Sequence, residues 1–182
     1  MNCSPRPTPV STTTWKCSPT WASAAGRTCL SRQVSDGVLY FDDIPDDYRS
    51  VVGSWQLNAS NIVAFAETWD PRPVHIDAAV AERSPFGTLI ASSAHLFAIV
   101  TLLFARHDDG IQVLAMLGKD KLRLPSPARA GTTLTYETRC IGKRVSASRP
   151  DAGIVALADT VTDNDGNVVL TQEVTLMVSR RT

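Results

Sequence analysis

The run from Ala94 to Ala105, Ala-His-Leu-Phe-Ala-Ile-Val-Thr-Leu-Leu-Phe-Ala, limits what this chain can fold into more than any other stretch. At helical spacing it is apolar on nearly every side, so the helix needs cover all round instead of along one stripe. Ser92 and Ser93 stand before it as caps, and Arg106-His107-Asp108-Asp109-Gly110 closes it. The run falls short of the roughly 20 apolar residues that cross a bilayer, which makes it a core helix. The chain beyond Gly110 supplies the cover. Gln112–Leu117, Lys119–Leu124, Thr132–Lys143, Gly153–Thr162 and Val168–Val178 alternate or are β-branched, as strands do. Between them lie the turn-forming stretches Pro125-Ser126-Pro127, Arg129-Ala130-Gly131, Arg149-Pro150-Asp151 and Asp163-Asn164-Asp165-Gly166-Asn167. Long antiparallel strands wrapped round one buried helix predict an α+β chain of hotdog-like architecture.

The chain has 182 residues, enough for one domain with a substantial core, expected over residues 37–182. Residues 1–36 differ from the rest: Ser, Thr and Pro dominate, Arg6, Lys16, Arg27 and Arg32 are basic, and no acid precedes Asp36. They are expected to form a disordered or weakly ordered extension. Two alternatives stand beside that: a targeting segment, although no secretory apolar core is present, and an arm whose Trp15 and Trp21 pack on a partner. Cys3, Cys17, Cys29 and Cys140 lack the close spacing of a zinc knuckle or a redox pair. They read as thiols of a reducing compartment, hence a cytoplasmic location, with disulfides among the first three left open. A formal net charge of zero without any Lys/Arg run points away from nucleic acid and from an anionic membrane surface. The sequence holds no phosphate-cradling glycine loop and no dinucleotide fingerprint, so no nucleotide cofactor is expected. Asp163 to Asn167 superficially looks like a calcium loop. It lacks the distal Glu, and Asp-Gly between two strands is first a hairpin turn, so no metal is expected either.

Ahead of the core helix, Tyr40 to Pro45 leads into the domain and Ser50–Leu57 reads as a first strand. Asn58 or Ser60 then caps a helix with apolar residues at 62, 65, 66 and 69 on one face. That helix delivers the chain to Asp70-Pro71-Arg72-Pro73-Val74-His75. Each proline fixes its own φ and keeps the residue before it out of the helical region, which predicts a stiff, extended turn. Held so, a carboxylate and a neutral imidazole can share one water or one substrate proton, the minimum for acid and base chemistry near neutral pH. The plainer reading has Asp70 capping a turn and His75 opening a short helix over Ile76–Arg83, broken by Ser84-Pro85-Phe86-Gly87. Trp69 belongs either to a pocket wall or to the core beneath it. His95, one turn inside the core helix, either lines a tunnel or is simply packed, and His107 sits where it would serve the helix dipole.

The stretch resembles the MaoC-like acyl dehydratases, also called hydratase 2 or (R)-specific enoyl-CoA hydratases, whose signature reads Asp-x-Asn-Pro-x-His. Here acid, proline and histidine match in Asp70-Pro71-Arg72-Pro73-Val74-His75, with Arg72 in place of Asn. Ser84-Pro85-Phe86-Gly87-Thr88-Leu89-Ile90-Ala91-Ser92 is similar to the family's lead into its central helix, and a weaker likeness runs from about Leu39 to the C-terminus. The family's Gly eighteen residues after the histidine is replaced by Ser93. That residue's backbone N–H holds the thioester oxygen, and a Ser side chain crowds the approach.

The resemblance implies reversible addition of water to a trans-2-enoyl thioester to give an (R)-3-hydroxyacyl thioester. Asp70 and His75 would activate the water, and the Ser93 N–H would hold the enolate oxygen. It implies an acyl-CoA or acyl carrier protein substrate and a homodimer with the site near the subunit boundary. Substrate contacts are expected from Trp69, Phe86, Leu89 and Leu96. Lys119, Lys121, Arg123 and Arg129 either meet a carrier's phosphates or form an ordinary solvated face. Two rival readings are a hotdog thioesterase and a catalytically silent acyl-thioester-binding subunit, the latter suggested by Arg72 and Ser93.

Overall fold

The computed structural model describes residues 37–107 and 110–181. The expectations placed on the N-terminal extension, with Trp15, Trp21 and three of the four cysteines, lie outside the described residues. Among the described residues, five strands form one antiparallel sheet: β1 (Arg49–Gln56), β2 (Val113–Arg123), β3 (Thr133–Val145), β4 (Ala152–Thr162) and β5 (Val168–Ser179), in the order β1-β3-β4-β5-β2. Between β1 and β2 run the helices α1 (Ala59–Trp69), α2 (Pro73–Ile76), α3 (Ala78–Glu82) and α4 (Ser93–Ala105).

Helix α4 is the apolar run singled out above. Ser92 caps it from an extended conformation, its Oγ accepting the His95 N–H at 3.2 Å. Its Leu96, Ile99 and Val100 are buried against Val52 of β1, Leu134 and Tyr136 of β3, Val161 of β4 and Leu170 of β5. The sheet therefore covers the helix across four strands, which is the hotdog arrangement. A second buried cluster gathers Phe41, Ile44 and Tyr48 from the chain before β1 with Cys140, Val155, Leu157, Val174, Leu176 and Val178 of the sheet. Gly153 makes that docking possible, since a Cβ there would lie 2.0 Å from the Phe41 ring. Cys140 is a buried free thiol.

Three local differences from the sequence reading have physical causes. Gln112–Leu117 and Lys119–Leu124 are one strand, because three register shifts against β5 and a left-handed Lys121 (φ 50°) absorb the break in alternation. The helix expected over Ile76–Arg83 is split into α2 and α3 at Asp77, whose side chain caps α3 by accepting the Val80 N–H at 3.0 Å. The segment from Asp70 to His75 is extended only as far as Arg72. Pro73 then takes the first position of α2, where its missing N–H costs nothing, and His75 lies within that turn. The Asp163–Asn167 stretch is the expected hairpin turn: Asp163 Oδ1 accepts the N–H groups of Asp165 and Asn167, and Gly166 takes the positive φ (81°). Among the described residues, no helix is long and apolar enough to cross a membrane.

Candidate active site

Asp70 ends α1, its N–H bonded to the Ala66 carbonyl, and His75 lies one short turn further along in α2. The imidazole is 3% exposed. Its Nδ1 lies 2.7 Å from the Ile90 carbonyl oxygen. A carbonyl only accepts, so Nδ1 carries the ring proton of the neutral imidazole and Nε2 presents a lone pair. Among the described residues that Nε2 has no hydrogen-bond partner, and Asp70 Oδ2 stands 3.7 Å from it. The gap is too long for a hydrogen bond between them and suits two groups that hold a third atom in common.

The Asp70 carboxyl is itself clamped. Arg72 Nε donates to Oδ1 at 2.8 Å and Nη2 to Oδ2 at 2.7 Å. These bonds first, then the nearby charge of Arg72, hold Asp70 below the usual carboxylate range against the opposing effect of burial. The guanidinium is correspondingly pushed up. A site acid kept ionised in this way is a weak proton acceptor and a strong hydrogen-bond acceptor. In the sequence Arg72 stood out only as a departure from the family pattern. Its i, i+2 spacing from Asp70 is the signal that a fork was possible.

Ile90 links this pair to the core helix. Its N–H bonds the Val74 carbonyl at 3.4 Å, while the Ala91 N–H bonds Ala128 and the Ala130 N–H bonds Leu89, so residues 89–91 lie between α2 and the 128–130 segment. Ser93, three residues beyond Ile90, begins α4. With the His95 N–H taken by Ser92 and the Leu96 N–H by the Ser92 carbonyl, the N–H groups of Ser93 and Ala94 remain as first-turn donors. The segment that orients His75 thus also carries the positive end of a helix dipole.

The other singled-out residues are dispersed. Trp69 is 71% exposed with its ring 6.4 Å from Phe65, so it is not in the core. Phe86 is half-buried in the turn before α4, and its carbonyl accepts from Arg129 Nε at 3.5 Å. Leu89 and Leu96 are both buried, Leu96 in the cluster around α4. His95 is buried, stacked on Phe65 with centroids 4.4 Å apart and planes 5° apart, and burial pushes its pKa down to about 4. His107 Nε2 and Ser50 Oγ are hydrogen-bonded at 2.9 Å. Lys121 pairs with Glu173, and Lys119 lies over the Phe97 ring.

The sheet order and the central helix it covers define a hotdog-fold protein. Residues 43–162 match the family described as the MaoC like domain, and the chain belongs to that family. A crystal structure of a MaoC-like dehydratase from Rhodospirillum rubrum is 32% identical, superimposes with a TM-score of 0.72, and is matched over 79% of this chain and 99% of that one. A 3-hydroxybutyryl-CoA dehydratase of Methylorubrum extorquens is 26% identical over 145 residues, 79% of this chain and 87% of the relative. R-Hydratase PhaJ1 from Pseudomonas aeruginosa, at 23% identity, a TM-score of 0.64 and coverage of 78% and 86%, shares the fold.

Proposed function

We propose that this protein catalyses the reversible hydration of a trans-2-enoyl thioester to an (R)-3-hydroxyacyl thioester, with Asp70 and His75 acting on a shared water. The observation that carries the reading is the buried, unpartnered Nε2 of His75, fixed as an acceptor by Ile90 and set 3.7 Å from Asp70 Oδ2. In the hydration direction His75 is the base: Nε2 takes a proton as the water oxygen bonds the β-carbon. Asp70, held ionised by Arg72, orients that water and stabilises the imidazolium formed. The electron pair of the C=C bond passes to the thioester oxygen, which the Ser93 N–H stabilises, and return of a proton to the α-carbon completes the addition. The relatives named as dehydratases support the same chemistry.

The same reading includes a homodimer acting on acyl-CoA or acyl carrier protein thioesters in the cytoplasm. Strand β2 is a sheet edge, and Leu114, Met116, Leu117 and Leu122 on it are all exposed, an apolar edge suited to pairing with a second copy. One observation favours a second reading: with both Asp70 oxygens engaged by Arg72 and Ser93 at the oxyanion position, the chain is also compatible with a silent thioester-binding subunit. Incubation with a short trans-2-enoyl-CoA tests the reading, with the enoyl-thioester absorbance, free thiol and product configuration followed together. Loss of absorbance with an (R)-3-hydroxyacyl product and no thiol is the expected result. Thiol release makes the protein a thioesterase, and binding without turnover makes it the silent subunit.

A further inference from the structure

The Asp70–Arg72 fork uses only one edge of the guanidinium. Nε and Nη2 hold the two carboxylate oxygens, and among the described residues the N–H bonds of Nη1 and the second N–H of Nη2 have no partner. Those groups form a second edge with the same bidentate geometry. The Arg72 side chain is 65% exposed where that of Asp70 is 21%. With Asp70 covering the first edge, that exposure falls on the rest of the side chain.

The cation also borders the reacting centre. One atom, Asp70 Oδ2, accepts from Arg72 Nη2 at 2.7 Å and stands 3.7 Å from His75 Nε2. Arg72 therefore neighbours whatever the acid and the imidazole hold between them. The charges there balance before any substrate enters, because His75 is neutral with its proton on Nδ1 and Arg72 cancels Asp70. An uncharged side chain at position 72 would leave Asp70 to repel a second anion. A guanidinium reverses that, since one planar cation can bridge two carboxylates, one on each edge. An ion pair so exposed adds little to the stability of the fold, so the consequence of Arg72 lies at the site.

We propose that Arg72 sets substrate specificity, its second edge binding a carboxylate at the far end of a short acyl group, so that the monothioester of a short trans-2-enedioic acid is preferred over a plain 2-enoyl thioester. This rests on the hydratase reading above. With the thioester oxygen held at Ser93 and the water bonding the β-carbon beside Asp70, the group beyond the β-carbon is the part of the acyl chain nearest the guanidinium. The phosphates of a CoA carrier are the other anionic source. They lie the length of the pantetheine arm from the thioester, on the opposite side of the reacting carbons.

The test compares kcat/KM for trans-2-pentenoyl-CoA and trans-glutaconyl-CoA, in which a carboxylate replaces the terminal methyl and one methylene separates it from the double bond. The expected result is a preference for the glutaconyl thioester of at least about tenfold, falling to parity or reversing in Arg72→Gln. Any effect of that substitution on Asp70 acts on both substrates and cancels in the ratio. Equal rates in the wild type, or a preference for pentenoyl-CoA, overturn the assignment while leaving the hydratase reading intact, and they do so even if the variant does not fold. A preference that survives Arg72→Gln overturns it as well. Repeating the pair as N-acetylcysteamine thioesters removes the carrier's phosphates, and the preference should persist. If Arg72→Gln instead slows both CoA thioesters equally and spares the N-acetylcysteamine ones, Arg72 meets a phosphate and the proposal fails. If neither enoyl thioester reacts, the hydratase reading fails by itself, and calorimetry with glutaryl-CoA and pentanoyl-CoA tests the anion site. Tighter binding of glutaryl-CoA, lost in Arg72→Gln, sustains it, and equal or absent binding overturns it.

Discussion

Acidification should weaken this fold through His95. In the folded protein the ring is buried on Phe65 with Nδ1 unpartnered, and burial pushes its pKa from the ordinary 6.5 to about 4. In the unfolded chain the same ring titrates near 6.5. Between those values the unfolded state binds the extra proton, so the stabilising contribution is complete above pH 6.5 and is lost as pH falls toward 4. At 1.36 kcal/mol for each pH unit separating the two pKa values, the full span is about 3 kcal/mol, with partial solvent access reducing it toward 2. His95→Phe keeps a ring to stack on Phe65 and removes the titration. Urea unfolding at a series of pH values from 7 to 4 measures the difference. Carboxylates held below their usual range, Asp70 among them, titrate in both proteins and cancel in the comparison. The variant should gain on the wild type by about 2–3 kcal/mol across that interval. Parallel curves, within about 0.5 kcal/mol, would refute a neutral buried His95.

Three further outcomes follow from particular contacts. Arg72→Asn removes the fork that lowers the Asp70 pKa, so the titration of the Asp70 carboxyl, followed by NMR, should move to higher pH, and an unmoved titration would show that Arg72 does not hold the carboxylate ionised. Ser93 is the first residue of α4 and follows an extended Ser92, a position that tolerates proline. Ser93→Pro should therefore keep the helix by circular dichroism yet lose about a hundredfold to a thousandfold in kcat with the N–H, whereas Ser93→Gly should retain or raise activity. Gly153→Ala drives a Cβ into the Phe41 ring and should cost about 1–3 kcal/mol, a fall of several degrees in Tm by calorimetry.

The architecture was legible because α4 has no polar side: a helix apolar all round followed by alternating strands leaves few ways to bury it. The closeness of Asp70 to His75 and the Ser92 cap were also readable, each from local residue types. What the sequence concealed depends on distant pairing. Ile90 orients His75 through a carbonyl fifteen residues away, and every residue type has a carbonyl. Trp69 fell on the apolar stripe of α1, but Ile62 and Ala66 are the residues that stripe buries. Thr138, Asp159 and Gln172 looked like ordinary polar positions in separate strands. Their shared inward parity carried a signal, but without the register between β3, β4 and β5 nothing joined them into the buried, hydrogen-bonded row they form.

The measurement that bears most directly on the central claim is the rate of enoyl-CoA hydration by the wild type, Asp70→Asn and His75→Gln, with folding of each confirmed by its unfolding midpoint. If the two side chains act on one water, each variant should lose about a hundredfold to ten-thousandfold in kcat while remaining folded. Either variant keeping its rate within about tenfold of the wild type would contradict the shared-water account.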